Sequence, residues 1–152
     1  MGAVYFYHLT RRPLEQTLPQ LLGRARSAGW RVVVRGMDRG RLEWLDEKLW
    51  QGPEDEFLAH GLDGNMNDAL QPIILTDKLD VEGKVDCVIS VDGAEVSAQE
   101  VSALDRVCIL FDGTDGAALT RARGQWKSLT DDGCAAQYWS EESGKWEMKA
   151  EK

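Results

Sequence analysis

Apolar residues along this chain follow two rhythms: short continuous runs bounded by turn residues, and longer stretches in which they recur every three or four positions. The runs at residues 3–7 (AVYFY), 31–35 (RVVVR), 72–76, 85–91, 107–111 (VCILF) and 134–139 read as strands, several of them apolar enough to be covered on both faces. Helical stripes fall between them. Leu14, Leu18, Leu21, Leu22 and Ala25 predict a helix after the first strand, Leu42, Leu45 and Leu49 a second, and Leu119, Ala122, Trp126 and Leu129 the last. Punctuation supports these elements. Thr10 stands where a cap is expected, with Pro13 in the first turn and Gly29 at the close. Pro19 either kinks the first helix or marks its start, since an interior proline costs about 3 kcal/mol. Gly52-Pro53 stops the second helix, Asp115 is placed to cap the last, and Gly133 to end it. Residues 57–60 are expected as a short strand or bridge, and residues 92–103 as a connection with one or two helical turns.

Strands alternating with helices make this an α/β three-layer domain. The first strand, helix and strand form a βαβ unit, for which parallel strands and a right-handed crossover are expected. Residues 1–140 are assigned to a single domain and residues 141–152 to a charged C-terminal tail in which Trp146 is the large apolar group.

Charge changes the picture more than composition does. The 152 residues carry a net charge of −8, yet residues 11–41 hold eight arginines against Glu15 and Asp38, about +6, which leaves the remainder near −14. Such a chain does not suit coating duplex DNA, which rewards a broad cationic surface. A small anionic partner fits better. Cys87, Cys108 and Cys134 are odd in number, widely spaced and set in predicted strands, as reduced buried thiols are, and not as a disulfide or zinc framework. No apolar run is long enough to span a membrane, and the N-terminus enters a strand pattern directly, so a cytoplasmic location is expected.

Candidate chemistry concentrates at residues 106–129, where a strand, a turn and a basic helix follow without interruption. Arg121, Arg123 and Lys127 stand in a stretch without an acid. Arg123 and Lys127 are four apart, with Trp126 three from Arg123, so these groups can act together on an anion. The bland alternative is a solvated helix end with Trp126 in the core. Nucleotide chemistry has little support. The GTDG turn, Gly113 to Gly116, stands at the start of the last helix, where a phosphate could be held, but the carboxylates of Asp112 and Asp115 oppose one, and neither a Walker lysine nor a glycine-rich dinucleotide loop accompanies it. His8 and His60 are remote from any activated Cys or Ser pattern, and the acids at 54–56 have no ligand spacing. No cofactor, metal or catalytic residue is expected. Two rival readings stay open: a nucleotide-dependent or hydrolytic α/β enzyme, and direct single-strand DNA binding by the 11–41 island with Trp30 as a stacking platform.

The segment LDEKLWQGPEDEFLAHGL, residues 45–62, resembles the chi subunit family of the bacterial DNA polymerase III holoenzyme. The resemblance extends through YFYHL at 5–9, LPQLLGRARSAGWRVVVR at 18–35, PIIL at 72–75, VCILFDG at 107–113, ARGQWK at 122–127 and a terminal tryptophan. It implies a Rossmann-like fold with a mostly parallel sheet, no nucleotide-binding loop and no intrinsic activity, in an accessory subunit of a DNA-directed DNA polymerase. It further implies an adaptor. Such a protein binds the acidic, Pro-Phe-ending C-terminal tail of single-stranded DNA-binding protein and links it to the clamp loader, in some bacteria through the psi subunit, touching DNA only indirectly. The family's tail-binding positions correspond to Arg123, Trp126 and Lys127. One departure stands out: where relatives carry a further base beyond the lysine, this chain has Thr130, Asp131 and Asp132, and Arg121 is the candidate substitute. Trp44 and Trp50 are candidates for a second interface, with core packing as the alternative.

Overall fold

The computed structural model describes residues 2–51, 59–64, 68–79, 81 and 83–152. Their order is β1 (Ala3–Leu9), α1 (Leu14–Ser27), β2 (Val32–Arg35), α2 (Arg39–Trp50), β3 (Gly61–Leu62), a 3-10 turn (Asp68–Leu70), β4 (Ile73–Thr76), β5 (Cys87–Ser90), α3 (Ala98–Ala103), β6 (Arg106–Asp112), α4 (Gly116–Asp131), β7 (Ala135–Ser140) and β8 (Glu147–Glu151). The described strands form one sheet in the order β3-β4-β2-β5-β6-β1-β7-β8, parallel except for the antiparallel pair β7–β8. It is an open, mostly parallel α/β sheet of Rossmann-like form.

Strand alternation sorts the core into two layers. Val32 and Val34 pack with Leu18 and Leu22 of α1 and Leu42 and Leu45 of α2, whereas Val33 packs on the other face with Val101 of α3 and Ala122 and Leu129 of α4. A sheet covered on both faces needs apolar residues in both directions, which is why its central strands read as unbroken apolar runs.

Several boundaries differ from the sequence expectation. Thr10 does not cap α1; Pro13 occupies the N-cap, makes no side-chain cap bond, and α1 runs through Pro19. The apolar stripe buried against the sheet outweighs the hydrogen bond that Pro19 cannot donate. β1 and β2 are parallel but not neighbours, because β5 and β6 lie between them. Within residues 57–60, Phe57 and Leu58 lie outside the described residues, as do the 54–56 acids and Gly52-Pro53; the nearby short strand is Gly61–Leu62. Residues 141–152, expected as a charged tail, contain β8. Glu141 there is 2% exposed and its Oε1 accepts the backbone N–H of Arg11 and Arg12 at 3.2 and 2.9 Å, so it ties the β1–α1 loop down.

Two ion pairs, each with one buried partner, bind the carboxyl ends of the sheet to its helices. Arg35, 4% exposed at the end of β2, donates to both carboxylate oxygens of Glu100 in α3, at 2.6 and 3.1 Å, and to the carbonyls of Glu95 and Leu79. Glu100 also closes a capping box with Ser97. Asp63, beyond β3, is bound by Arg39 of α2 and accepts from Thr76 Oγ1 at 2.8 Å. Burial alone would raise both carboxyls; the guanidinium bonds, aided by Thr76 at Asp63 and Ser97 at Glu100, outweigh it and hold each below its ordinary value.

Because the folded pKa of each is depressed, their contribution is fully present above the ordinary carboxyl range, about pH 4, and is lost as pH falls through the lower folded values. Stability measured by urea unfolding is expected to decline below about pH 4, and less steeply in Asp63→Asn. Glu100→Gln removes the counter-charge of the buried Arg35, while a glutamine there can still close the capping box. It is expected to cost about 3 kcal/mol in the same assay at neutral pH.

Candidate partner-binding site

The site begins with the start of α4. Asp112 closes β6 and accepts from Thr114 N–H and Oγ1 at 2.8 and 2.7 Å, which holds its carboxyl below the ordinary value. Asp115 then caps the helix, its Oδ1 accepting from Ala117 N–H at 3.0 Å and Ala118 N–H at 3.5 Å. The leading amides of α4 are therefore bonded to this chain's own carboxylate and make no phosphate cradle. At the other end Gly133, at φ 88°, lets the chain turn back while Cys134 N–H reaches Leu129 O at 3.0 Å.

This anchored helix buries Ala122 and Leu129, half-buries Leu119 and Trp126, and leaves Arg121, Arg123 and Lys127 exposed. Trp126 meets Phe6 edge-on at a centroid distance of 5.4 Å and Tyr138 of β7 at 6.2 Å. The Tyr138 hydroxyl lies 2.8 Å from His8 Nδ1, and the His8 ring stacks on Phe111 at 5.1 Å. Burial pushes the Tyr138 phenol up, and the Arg123 charge acts on it in the opposite direction. Arg123 and Lys127 have no ion-pair partner among the described residues. The result is two available cations flanking a half-buried indole that rests on Phe6 and Tyr138.

Arg121 is not with them. Two positions from Arg123 on a helix, it leaves on another flank and lines a crevice of about 510 Å³ at the carboxyl ends of β1 and β6. There its guanidinium crowds Gly93, where an added Cβ would come within 2.3 Å of it. The connections from β1 and β6 leave on opposite faces at this point, the position at which open α/β sheets hold ligands. The charges lining it balance, however: Arg11, Arg12, Arg41 and Arg121 against Glu15, Asp92, Asp112 and Asp115, with Arg41 paired to Asp92 at 3.0 Å.

Matched residues settle the family. A family profile, that of the DNA polymerase III chi subunit, HolC, fits residues 1–137. The chain belongs to the DNA polymerase III chi subunit family. No curated protein matches it in a direct sequence search. Membership makes it an accessory subunit of DNA polymerase III, with a place in DNA replication. Among the described residues no helix is long and apolar enough to cross a membrane, and no group of His, Cys, Asp and Glu is arranged to hold a metal ion.

The two tryptophans that are candidates for a second interface lie away from α4. Trp50 at the end of α2 is 52% exposed, its ring 4.2 Å from that of His60, which is buried with Nε2 at 3.1 Å from the Asp46 carbonyl. Trp44 is half-buried beneath Arg41, whose guanidinium lies 4.3 Å from its ring centre. The contribution of Tyr138 and His8 to the α4 site was not seen in the sequence. Alternation along β7 could have supplied half of it, since Ala136 and Tyr138 face α4 and Trp139 faces away.

Gly113 tests this aromatic support. A Cβ there would stand 2.0 Å from His8 Nε2 and 2.8 Å from the Leu9 carbonyl. Gly113→Ala is expected to displace His8 from Tyr138 and to cost about 1–3 kcal/mol, measured by thermal unfolding and by the tyrosine and histidine ring resonances.

Proposed function

We propose that this chi-family chain is a non-catalytic replisome adaptor whose α4 surface binds the acidic Pro-Phe C-terminal tail of single-stranded DNA-binding protein and links it to the clamp loader. One observation carries the reading: in a chain of net charge −8, Arg123 and Lys127 stand exposed on either side of Trp126, without ion-pair partners among the described residues. Tail carboxylates meet Arg123 and Lys127 through charge-assisted hydrogen bonds. The terminal phenylalanine packs against Trp126, whose far side is already fixed by Phe6 and Tyr138 and so loses little freedom on binding.

The departure after Lys127 weakens this surface but leaves it intact. Thr130 turns its hydroxyl back to the Trp126 carbonyl at 2.7 Å, so it offers the tail no charge. Arg121, across the helix in the crevice, does not replace the missing base. The clamp-loader side belongs to a different surface. Trp50, exposed on α2 beside His60, supplies an aromatic anchor for the psi subunit or another clamp-loader component.

In a titration of a labelled tail peptide at two salt concentrations, binding is expected to weaken at high salt. Arg123→Glu and Lys127→Glu should each reduce it tenfold or more, and Arg121→Glu should leave it nearly unchanged. Binding indifferent to both reversals would move the site off α4. Trp50→Arg is expected to spare tail binding while releasing the chain from clamp-loader assemblies in size-exclusion chromatography; co-elution unchanged would remove Trp50 from that contact.

A further inference from the structure

On the face of the sheet opposite α4, a half-open cavity of about 320 Å³ lies between the carboxyl-terminal end of α1 and the strands β5, β6, β1 and β7. Its size is that of a small-ligand pocket. The lining includes the rings of Tyr5, Trp30, Trp139 and Trp146, together with Arg24 and Arg106, and among the described residues it contains no carboxylate. In a chain of net charge −8 that is a local reversal of sign, and it contrasts with the balanced crevice at the strand ends. Arg106 lies with its guanidinium carbon 3.8 Å from the Tyr5 ring centre and 5.4 Å from that of Trp30. Its Nε is buried and has no hydrogen-bond partner among the described residues.

We infer that this cavity takes a base of single-stranded nucleic acid, stacked among the Tyr5, Trp30 and Trp139 rings, with its phosphate at the exposed Arg24. Flat rings in a cation-bearing, acid-free pocket suit any base, because every base has a π-face and every link a phosphate. The Arg106 guanidinium, lying over the Tyr5 ring and near Trp30, adds a flat cationic surface to these rings, and with Arg24 it makes the cavity complementary to a polyanion that carries flat bases. Trp139 and Trp146 also lie past residue 137, where the family match ends, so these two walls are not features that the match supplies. The site is independent of the α4 surface. An adaptor holding a protein tail on one face can steady the strand that the tail's owner coats on the other.

The test uses the full chain and a labelled short oligothymidine, followed by fluorescence anisotropy and tryptophan quenching at low and moderate salt. Salt-sensitive binding is expected, weakened about tenfold or more by Arg106→Gln and by Arg24→Glu. Both variants should retain the tail-peptide affinity of the unmodified chain, which also verifies their fold, and Arg123→Glu should show the reverse pattern. Arg24 is exposed on α1, so its reversal stays informative even where Arg106→Gln disturbs packing. No binding by the unmodified chain at low salt would overturn the proposal. So would oligothymidine binding untouched by Arg24→Glu, or displacement of the oligonucleotide by the tail peptide, which would assign the cavity to the peptide instead.

Discussion

The structure depends on one constraint: β1 sits inside a parallel sheet covered on both faces, and its side chains alternate between them. It pairs with β6 from Ala3 to Leu9 and with β7 from Ala3 to His8, so its register is fixed from two sides. Val4, Phe6 and His8 point to the α4 layer; Tyr5, Tyr7 and Leu9 point to the α1 layer. Burying a residue such as Phe6, fully enclosed, contributes roughly 1.5–3 kcal/mol. A slip of one residue would exchange the two sets and bring Tyr5 and Tyr7 under α4 in place of Phe6 and His8. The aromatic support of Trp126 and the ring-lined cavity on the other face are thus two consequences of the same seven residues.

The elements legible in the sequence are those whose signals are local. The cap at Asp115, the left-handed Gly133 and the stripe from Leu119 to Leu129 all act within a few residues of chain, and α4 stands where they place it. Ser97 and Glu100, three apart, likewise start α3. What the sequence hid is long-range. Nothing near Val32 says that β5 and β6, more than fifty residues later, will be inserted between β2 and β1. Residues 141–152 read as a tail because their alternation is weak and charged, yet β7 offers them an open edge and the β1–α1 loop offers Glu141 two backbone donors. An edge strand needs only one apolar face, so its sequence signal is faint even where its pairing is regular.

The candidate site divides along the same line. Arg123, Trp126 and Lys127 come from one helix, and periodicity alone groups them. Arg121 shares their stretch of sequence but not their face, since a helix separates neighbours two apart. Tyr138 and His8 join the group only through the sheet, from strands 130 residues apart in number. Their role is to hold Trp126 still, and a rigid indole presents its apolar surface at lower entropic cost than a mobile one.

Charge shows most clearly why counting residues is not the same as locating binding. The quarter from residue 11 to 41 is the basic part of the sequence, but folding consumes much of that charge. Arg35 is spent on Glu100, Arg39 on Asp63 and Arg41 on Asp92, while Arg11 donates to the Glu142 carbonyl and Arg26 to that of Trp30. In the three ion pairs the positive potential is largely cancelled where it arises, whereas the carbonyl bonds of Arg11 and Arg26 fix the side chains and leave their charge in place. Arg123 and Lys127 are fewer, but among the described residues they have no ion-pair partner, and neither do Arg24 and Arg106 on the opposite face. In an acidic molecule such unspent cations set where an anion can approach, because elsewhere the −8 net charge repels it. Specificity then follows from what lies beside each pair of cations: one indole on a packed aromatic bed at α4, and a cage of rings beneath α1.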